Sequence, residues 1–376
     1  MLCLILAAAA CAQDLPRGKI IDDVKCAADA SQSYTLYLPF NYSADRTWAV
    51  IFAFDAGGRG RRGVERLQAA AEKYGYIVAG SNNSRNGPWQ VSMTAAQTMT
   101  RDVVKRFSID PHRMYTAGQS GGARVAMKVA IDTGQISGVI ASSAVYPDDE
   151  TRQYYPFVVF GTAGTEDFNY LELRKFNRET GSPHRVRIFE GGHQWMSSDL
   201  AMEAVEWMEI QAMKSGLRVT DEAMVQKIFA KRVAQAAALK NDFETYLALN
   251  SIAGDFDGGV DISKIYAHAA ALGRQAGVQE AIKKDKADDL REEKLANDLY
   301  ELEGEVLSDD PNTRPASFAE LKERLLKLSA QARVEKDSAD RRRARRLLAG
   351  ILQGSRRIED PEYRKLLDQV QLPAQP

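Results

Sequence analysis

Gly118-Gln119-Ser120-Gly121-Gly122 follows the apolar run Met114-Tyr115-Thr116-Ala117 and precedes a helical stretch over 123–130. A serine in a G-x-S-x-G turn between strand and helix is held in a strained conformation with its hydroxyl exposed at the sheet edge. Larger side chains two positions to either side would collide with the strand or the helix. The Gly121 N–H then points at an oxyanion developing on a substrate carbonyl. The competing reading of Ser120 is a glycine-rich turn that only packs.

Such a serine needs a base, and the chain holds only 4 His. His193 lies in Glu190-Gly191-Gly192-His193-Gln194-Trp195, just after the strand-like Val186-Arg187-Ile188-Phe189. A loop at that strand end lets the imidazole reach over the sheet toward Ser120. His112 enters its strand from the opposite end, His184 begins a strand and His268 falls in a helical segment, so these three read as core or surface residues. The imidazole needs an acid to orient it. Asp148, Asp149 and Glu150 follow Pro147 one strand too early, which leaves Glu166 and Asp167; the shorter Asp167 is preferred. The order Ser120, Asp167, His193 differs from those of the chymotrypsin and subtilisin frameworks.

The elements that must position these residues alternate. Strands are expected over 34–38, 48–54, 76–79, 113–117, 138–144, 156–161 and 185–189, with helices through Leu67, from about Thr94 to Phe107, from Gly121, and between the last two strands. Apolar strands separated by helices predict an α/β fold, a mostly parallel sheet covered on both faces, with ligands at the carboxyl ends of the strands.

Positions 26–214 resemble the α/β-hydrolases, and specifically the secreted bacterial esterases of the polyhydroxybutyrate-depolymerase and dienelactone-hydrolase kind. The likeness rests on Gly118 to Gly122, on Gly161-Thr162 with Asp167, and on Gly192-His193. It implies hydrolysis of a small-molecule or polymeric ester by Ser120, Asp167 and His193 through an acyl-enzyme, with no metal or organic cofactor. It also implies a second oxyanion donor after the third strand. Lipase-like members carry His-Gly-Gly-Gly there, whereas this chain has Phe54-Asp55-Ala56-Gly57-Gly58-Arg59, so the donor is expected from Ala56 or Gly57. Arg59, Asn82 and Trp195 are the candidate substrate contacts. For Arg59 and its neighbours Arg61, Arg62 and Arg66, a solvated face or a docking face for the helical part is the favoured alternative.

Composition limits the other classes. With 376 residues and 44% hydrophobic content the chain has room for about two folded domains. Lys+Arg 50 against Asp+Glu 51 gives a net charge of −1, without the basic excess of a charge-driven nucleic-acid binder. All 4 Trp lie before position 215, and charged residues rise from about a fifth of positions 1–214 to about a third beyond. This divides the chain into a hydrolase-like part over 13–214 and an all-α accessory part over 215–376, available for a protein partner or self-association. Within it Ser317 and Glu320 suggest a capping box, 281–305 suggests a charged helix, and Arg341-Arg342-Arg343-Ala344-Arg345-Arg346 is the densest charge cluster. Neighbouring acids argue against a nucleic-acid or lipid patch there.

Residues 1–12 read as a signal peptide lacking its usual basic start, with Cys11 a weak lipoprotein-type anchor. The run is too short to span a bilayer. An exported protein, periplasmic or extracellular, is expected, and cleavage after Ala12 would leave Cys26 as a lone thiol. Three rivals remain: a non-catalytic hydrolase-like scaffold, a serine peptidase, and a dinucleotide-binding enzyme, the last suggested only by the glycines over 57–60.

Overall fold

The computed structural model describes residues 15–147, 152–308 and 310–372. The expected signal segment with Cys11, and the acids Asp148, Asp149 and Glu150, lie outside the described residues.

Eight strands form one sheet: β1 (Ile20–Cys26), β2 (Asp29–Tyr37), β3 (Trp48–Asp55), β4 (Tyr76–Ser81), β5 (Ile109–Gln119), β6 (Gly138–Ser142), β7 (Val158–Gly164) and β8 (His184–Phe189). Their spatial order is β1-β2-β4-β3-β5-β6-β7-β8. Only the β1–β2 and β2–β4 pairs are antiparallel; every pair from β4 to β8 is parallel. The crossovers are α1 (Gly60–Tyr74), α2 (Trp89–Arg106), α3 (Gly121–Thr133) and α4 (Tyr170–Glu179), and α5 (Ser198–Lys214) follows β8.

The two-residue period of β3 divides the core. Val50, Phe52 and Phe54 join the cluster under α2, α3 and α4, whereas Ala49, Ile51 and Ala53 join the one under α1 and α5. All eight residues of β3 are buried, as a parallel strand covered on both faces requires. The sequence reading omitted β1, whose Asp22 and Asp23 interrupt the apolar pattern, and placed the start of α2 five residues late.

Beyond residue 215 the chain is helical: α6 (Glu222–Ala237), α7 (Asp242–Phe256), α8 (Ser263–Gly273), α9 (Ala276–Leu307), α10 (Arg314–Ala332), α11 (Ala339–Gly354) and α12 (Pro361–Gln369). Asp221, Asn241, Ser338 and Asp360 cap α6, α7, α11 and α12 through side-chain oxygens. The expected capping box is not formed. Ser317 lies inside α10, where its hydroxyl donates to Glu305 at 2.5 Å, because Pro315 already starts that helix. Among the described residues no helix is long and apolar enough to cross a membrane.

Candidate active site

Ser120 sits between β5 and α3 with φ 57° and ψ −125°, a left-handed conformation that a non-glycine residue adopts only when its surroundings enforce it. Those surroundings are backbone. A Cβ on Gly118 would lie 2.1 Å from the Gly122 carbonyl oxygen, and one on Gly122 would lie 2.1 Å from that of Phe54. Ser120 N–H donates to the Ser142 carbonyl at 2.8 Å, which anchors the turn to β6.

His193 and Asp167 close on this serine. His193 Nε2 is 2.8 Å from Ser120 Oγ, and its Nδ1 is 2.8 Å from Asp167 Oδ1. Asp167 is fully buried, and its Oδ1 also accepts the Asn169 N–H at 2.9 Å. With Nδ1–H donating to the carboxylate, Nε2 is left as the acceptor of the serine proton. The Phe168 ring stacks on the imidazole at 4.0 Å between centroids, which fixes the ring plane. The loops carrying acid and base are themselves joined, Thr165 N–H to the Phe189 carbonyl and Glu166 N–H to that of Gly191, both at 2.8 Å.

The loop after β3 departs from expectation. Asp55 is buried, and its carboxylate accepts the Gly57 N–H at 2.8 Å, Arg59 Nε at 2.7 Å and the Trp195 indole N–H at 3.0 Å. Burial pushes its pKa up, but the Arg59 guanidinium, the Gly57 N–H and the indole outweigh that and hold it below the usual carboxylate range. Gly57 is therefore not a free oxyanion donor, and of the two expected residues Ala56 is left. On the other side stands Gly121, whose N–H is the first of α3 and has no partner one helical turn back.

The expected substrate contacts also have structural partners. Trp195 is 7% exposed and packs in the core against α1 with its N–H spent on Asp55, so it is an anchor for the oxyanion loop. Asn82 braces the sheet edge, accepting from Thr35 Oγ1 and donating to Ser33 Oγ, each at 3.2 Å. Arg59 ion-pairs with Asp55, and Arg61 pairs with Asp22 and Glu65. His112 lies in the outer end of β5, His184 bonds backbone carbonyls of Ser182 and Asn177, and His268 lies in α8.

Sequence reasoning missed what surrounds the acid. Glu166, next to Asp167, lies between Arg341 at 3.1 Å and Arg345 at 3.0 Å. Arg346 donates to the Thr165 carbonyl at 2.5 Å and pairs with Glu292 at 2.6 Å. Arg342 pairs with Glu190 at 3.0 Å. The readable signal was the four-residue spacing of Arg341 with Arg345 and of Arg342 with Arg346, which gives α11 two adjacent cationic rows.

The sheet order and the strand–turn–helix at Ser120 define an α/β-hydrolase fold. No family model matches the chain, and no curated protein sequence matches it. Solved structures do resemble it. An esterase of Pyrobaculum calidifontis is 10% identical, with TM-score 0.41 over 54% of this chain and 89% of that one. Est1E from Butyrivibrio proteoclasticus is 13% identical, with TM-score 0.37 over 49% and 95%. A puromycin hydrolase is 14% identical, with TM-score 0.40 over 52% of this chain and 38% of its own.

Proposed function

We propose that the protein is a serine hydrolase acting on carboxylic esters. The observation that supports this is the continuous hydrogen-bonded line from Ser120 Oγ through both nitrogens of His193 to the buried Asp167 carboxylate. In this reading His193 takes the serine proton as Oγ attacks the ester carbonyl. The Gly121 and Ala56 N–H groups stabilise the tetrahedral oxyanion. Protonated His193, held by Asp167, then delivers the proton to the leaving alcohol, and water repeats the sequence on the acyl-enzyme. Residues 1–12 are proposed to direct export, to be checked by the N-terminus of the mature protein.

The test is labelling by a fluorophosphonate, which reacts with an activated serine. Labelling of the folded wild type that disappears in Ser120→Ala supports the hydrolase. Absence of labelling in folded protein, together with no hydrolysis of p-nitrophenyl acetate or butyrate, supports the inert scaffold instead.

A further inference from the structure

A cavity of about 470 Å³ lies between the His193 loop and the last helices of the chain. His193, Gly192 and Phe168 form one wall, and residues of α11, α12 and the segments around them form the other. That size accommodates a small organic group. His193 Nε2 is 2.8 Å from Ser120 Oγ, so the cavity lies against the residue that carries the reaction's proton.

Its chemistry is amphiphilic. Leu352, Leu367 and Leu372 supply apolar surface, and Arg345, Arg356 and Arg364 supply cations. Glu166 and Asp368 are the acids on the wall. Glu166 is already bracketed by Arg345 and by Arg341 behind it. The Arg364 guanidinium donates to the Ile358 and Arg356 carbonyls, which satisfies hydrogens but not charge. Arg356 is exposed, and among the described residues its side chain makes no hydrogen bond or ion pair. Three arginines on the wall thus face two carboxylates, and the excess positive charge sits beside leucine surface.

We propose that this cavity binds one flank of the ester, and that the flank is an apolar chain ending in an anionic group, a carboxylate at Arg356 and Arg364. The proposal rests on the serine-hydrolase reading for its reaction but not for its binding. A carboxylate paired to arginine makes charge-assisted hydrogen bonds that a methyl terminus cannot. The arginine clamp on Thr165, Glu166 and Glu190 holds the helical wall in place, so the cavity exists before substrate arrives. The helical part is then a specificity element of the site.

The test measures affinity without turnover. Ser120→Ala is titrated with mono-p-nitrophenyl adipate and with p-nitrophenyl hexanoate, which share chain length and differ in the terminal charge. The adipate ester is expected to bind about tenfold tighter, the scale of a hydrogen bond to a charged group. The difference should vanish in Ser120→Ala/Arg356→Glu, and Leu352→Trp in the Ser120→Ala background should weaken both ligands. Arg356 is on the surface, so its variant should keep the melting temperature of the parent. Equal affinity for the two esters, or a preference that survives Arg356→Glu, overturns the proposal. Failure of the hydrolase reading registers separately, as absent fluorophosphonate labelling of the wild type.

Discussion

The two halves of the helical part are joined to the α/β body by different forces. Helices α6, α7 and α8 share a core with α5, because Ile210 and Met213 pack among Ile228, Leu249, Ile252 and Phe256. Helices α9 to α12 have a core of their own, built around Leu321, Leu325, Leu348 and Tyr363, with no residue from the sheet or its covering helices. They meet the α/β body through charge: Arg174 and Arg178 on Asp289, and α11 on Thr165, Glu166 and Glu190. Apolar burial contributes stability whatever its direction, whereas ion pairs contribute little net stability but fix position. The first half is attached as a continuation of the fold. The second is set in place at the loops that carry the acid and the base.

The adjacent carboxylates Glu166 and Asp167 sharpen this contrast most. Asp167→Asn leaves the packing in place but lets His193 adopt the wrong tautomer. Turnover should fall by about 10⁴, as for the equivalent change in the serine-protease triad. Glu166→Gln, which weakens the pairs to Arg341 and Arg345 and leaves Asp167 and His193 untouched, should retain most of its turnover. Steady-state kinetics on p-nitrophenyl butyrate decide it, and collapse of the Glu166 variant with a normal Asp167 variant would reverse the assignment.

Phe256→Ala tests the shared core. Removing a buried aromatic ring there should lower stability by about 3–5 kcal/mol, read from urea melts, with kcat nearly normal in the fraction that remains folded. A matched loss of kcat would mean that the first helical half also acts on the site.

The clamp should behave in the opposite way. Arg341→Ala/Arg345→Ala removes from the Glu166 carboxylate, beside Asp167, the two cations that hold its loop against α11. The loop then loses an anchor next to the acid. We expect kcat to fall about tenfold, equivalent to a displacement costing about 1.4 kcal/mol in the transition state, with a smaller change in the urea midpoint. Arg345→Lys with Arg341 intact should keep kcat near the wild-type value, because both positions still present a cation to the carboxylate. Unchanged kcat in the double variant would show that the helices are merely adjacent.

The sequence displayed the site better than its surroundings, for physical reasons. Ser120, His193 and Asp167 stand at strand ends, where two-residue periodicity and glycines mark the turns locally. The strands β3 to β7 were readable because their central residues are buried on both faces. The role of Trp195 was not readable, because its indole meets Asp55 across 140 positions of the chain, whereas the Gly57 N–H meets the same carboxylate only two positions away. The partners of the α11 arginines were not readable, because Thr165, Glu166 and Glu190 are more than 150 residues away in sequence.

The smallest expected effect concerns charge on the apolar side of the comparison. Glu206 of α5 accepts hydrogen bonds from Lys231 of α6 at 2.8 Å and from Lys73 and Tyr74 of α1 at 3.0 and 2.8 Å. Burial raises its pKa, but the two lysines and the tyrosine outweigh it, so the folded value lies below the usual glutamate range. A carboxyl depressed by folding contributes stability above its unfolded pKa of about 4.3 and loses it as pH falls through the folded value. Both lysines are about half exposed, at 49% and 46%, which screens the pairs to within about 1 kcal/mol. Glu206→Gln should therefore cost a fraction of that at pH 7 and progressively less as pH falls through the folded value. Urea melts of the two proteins from pH 7 to pH 3 should converge toward the acid end. Curves that stay parallel would mean that the junction of α1, α5 and α6 is held by packing alone.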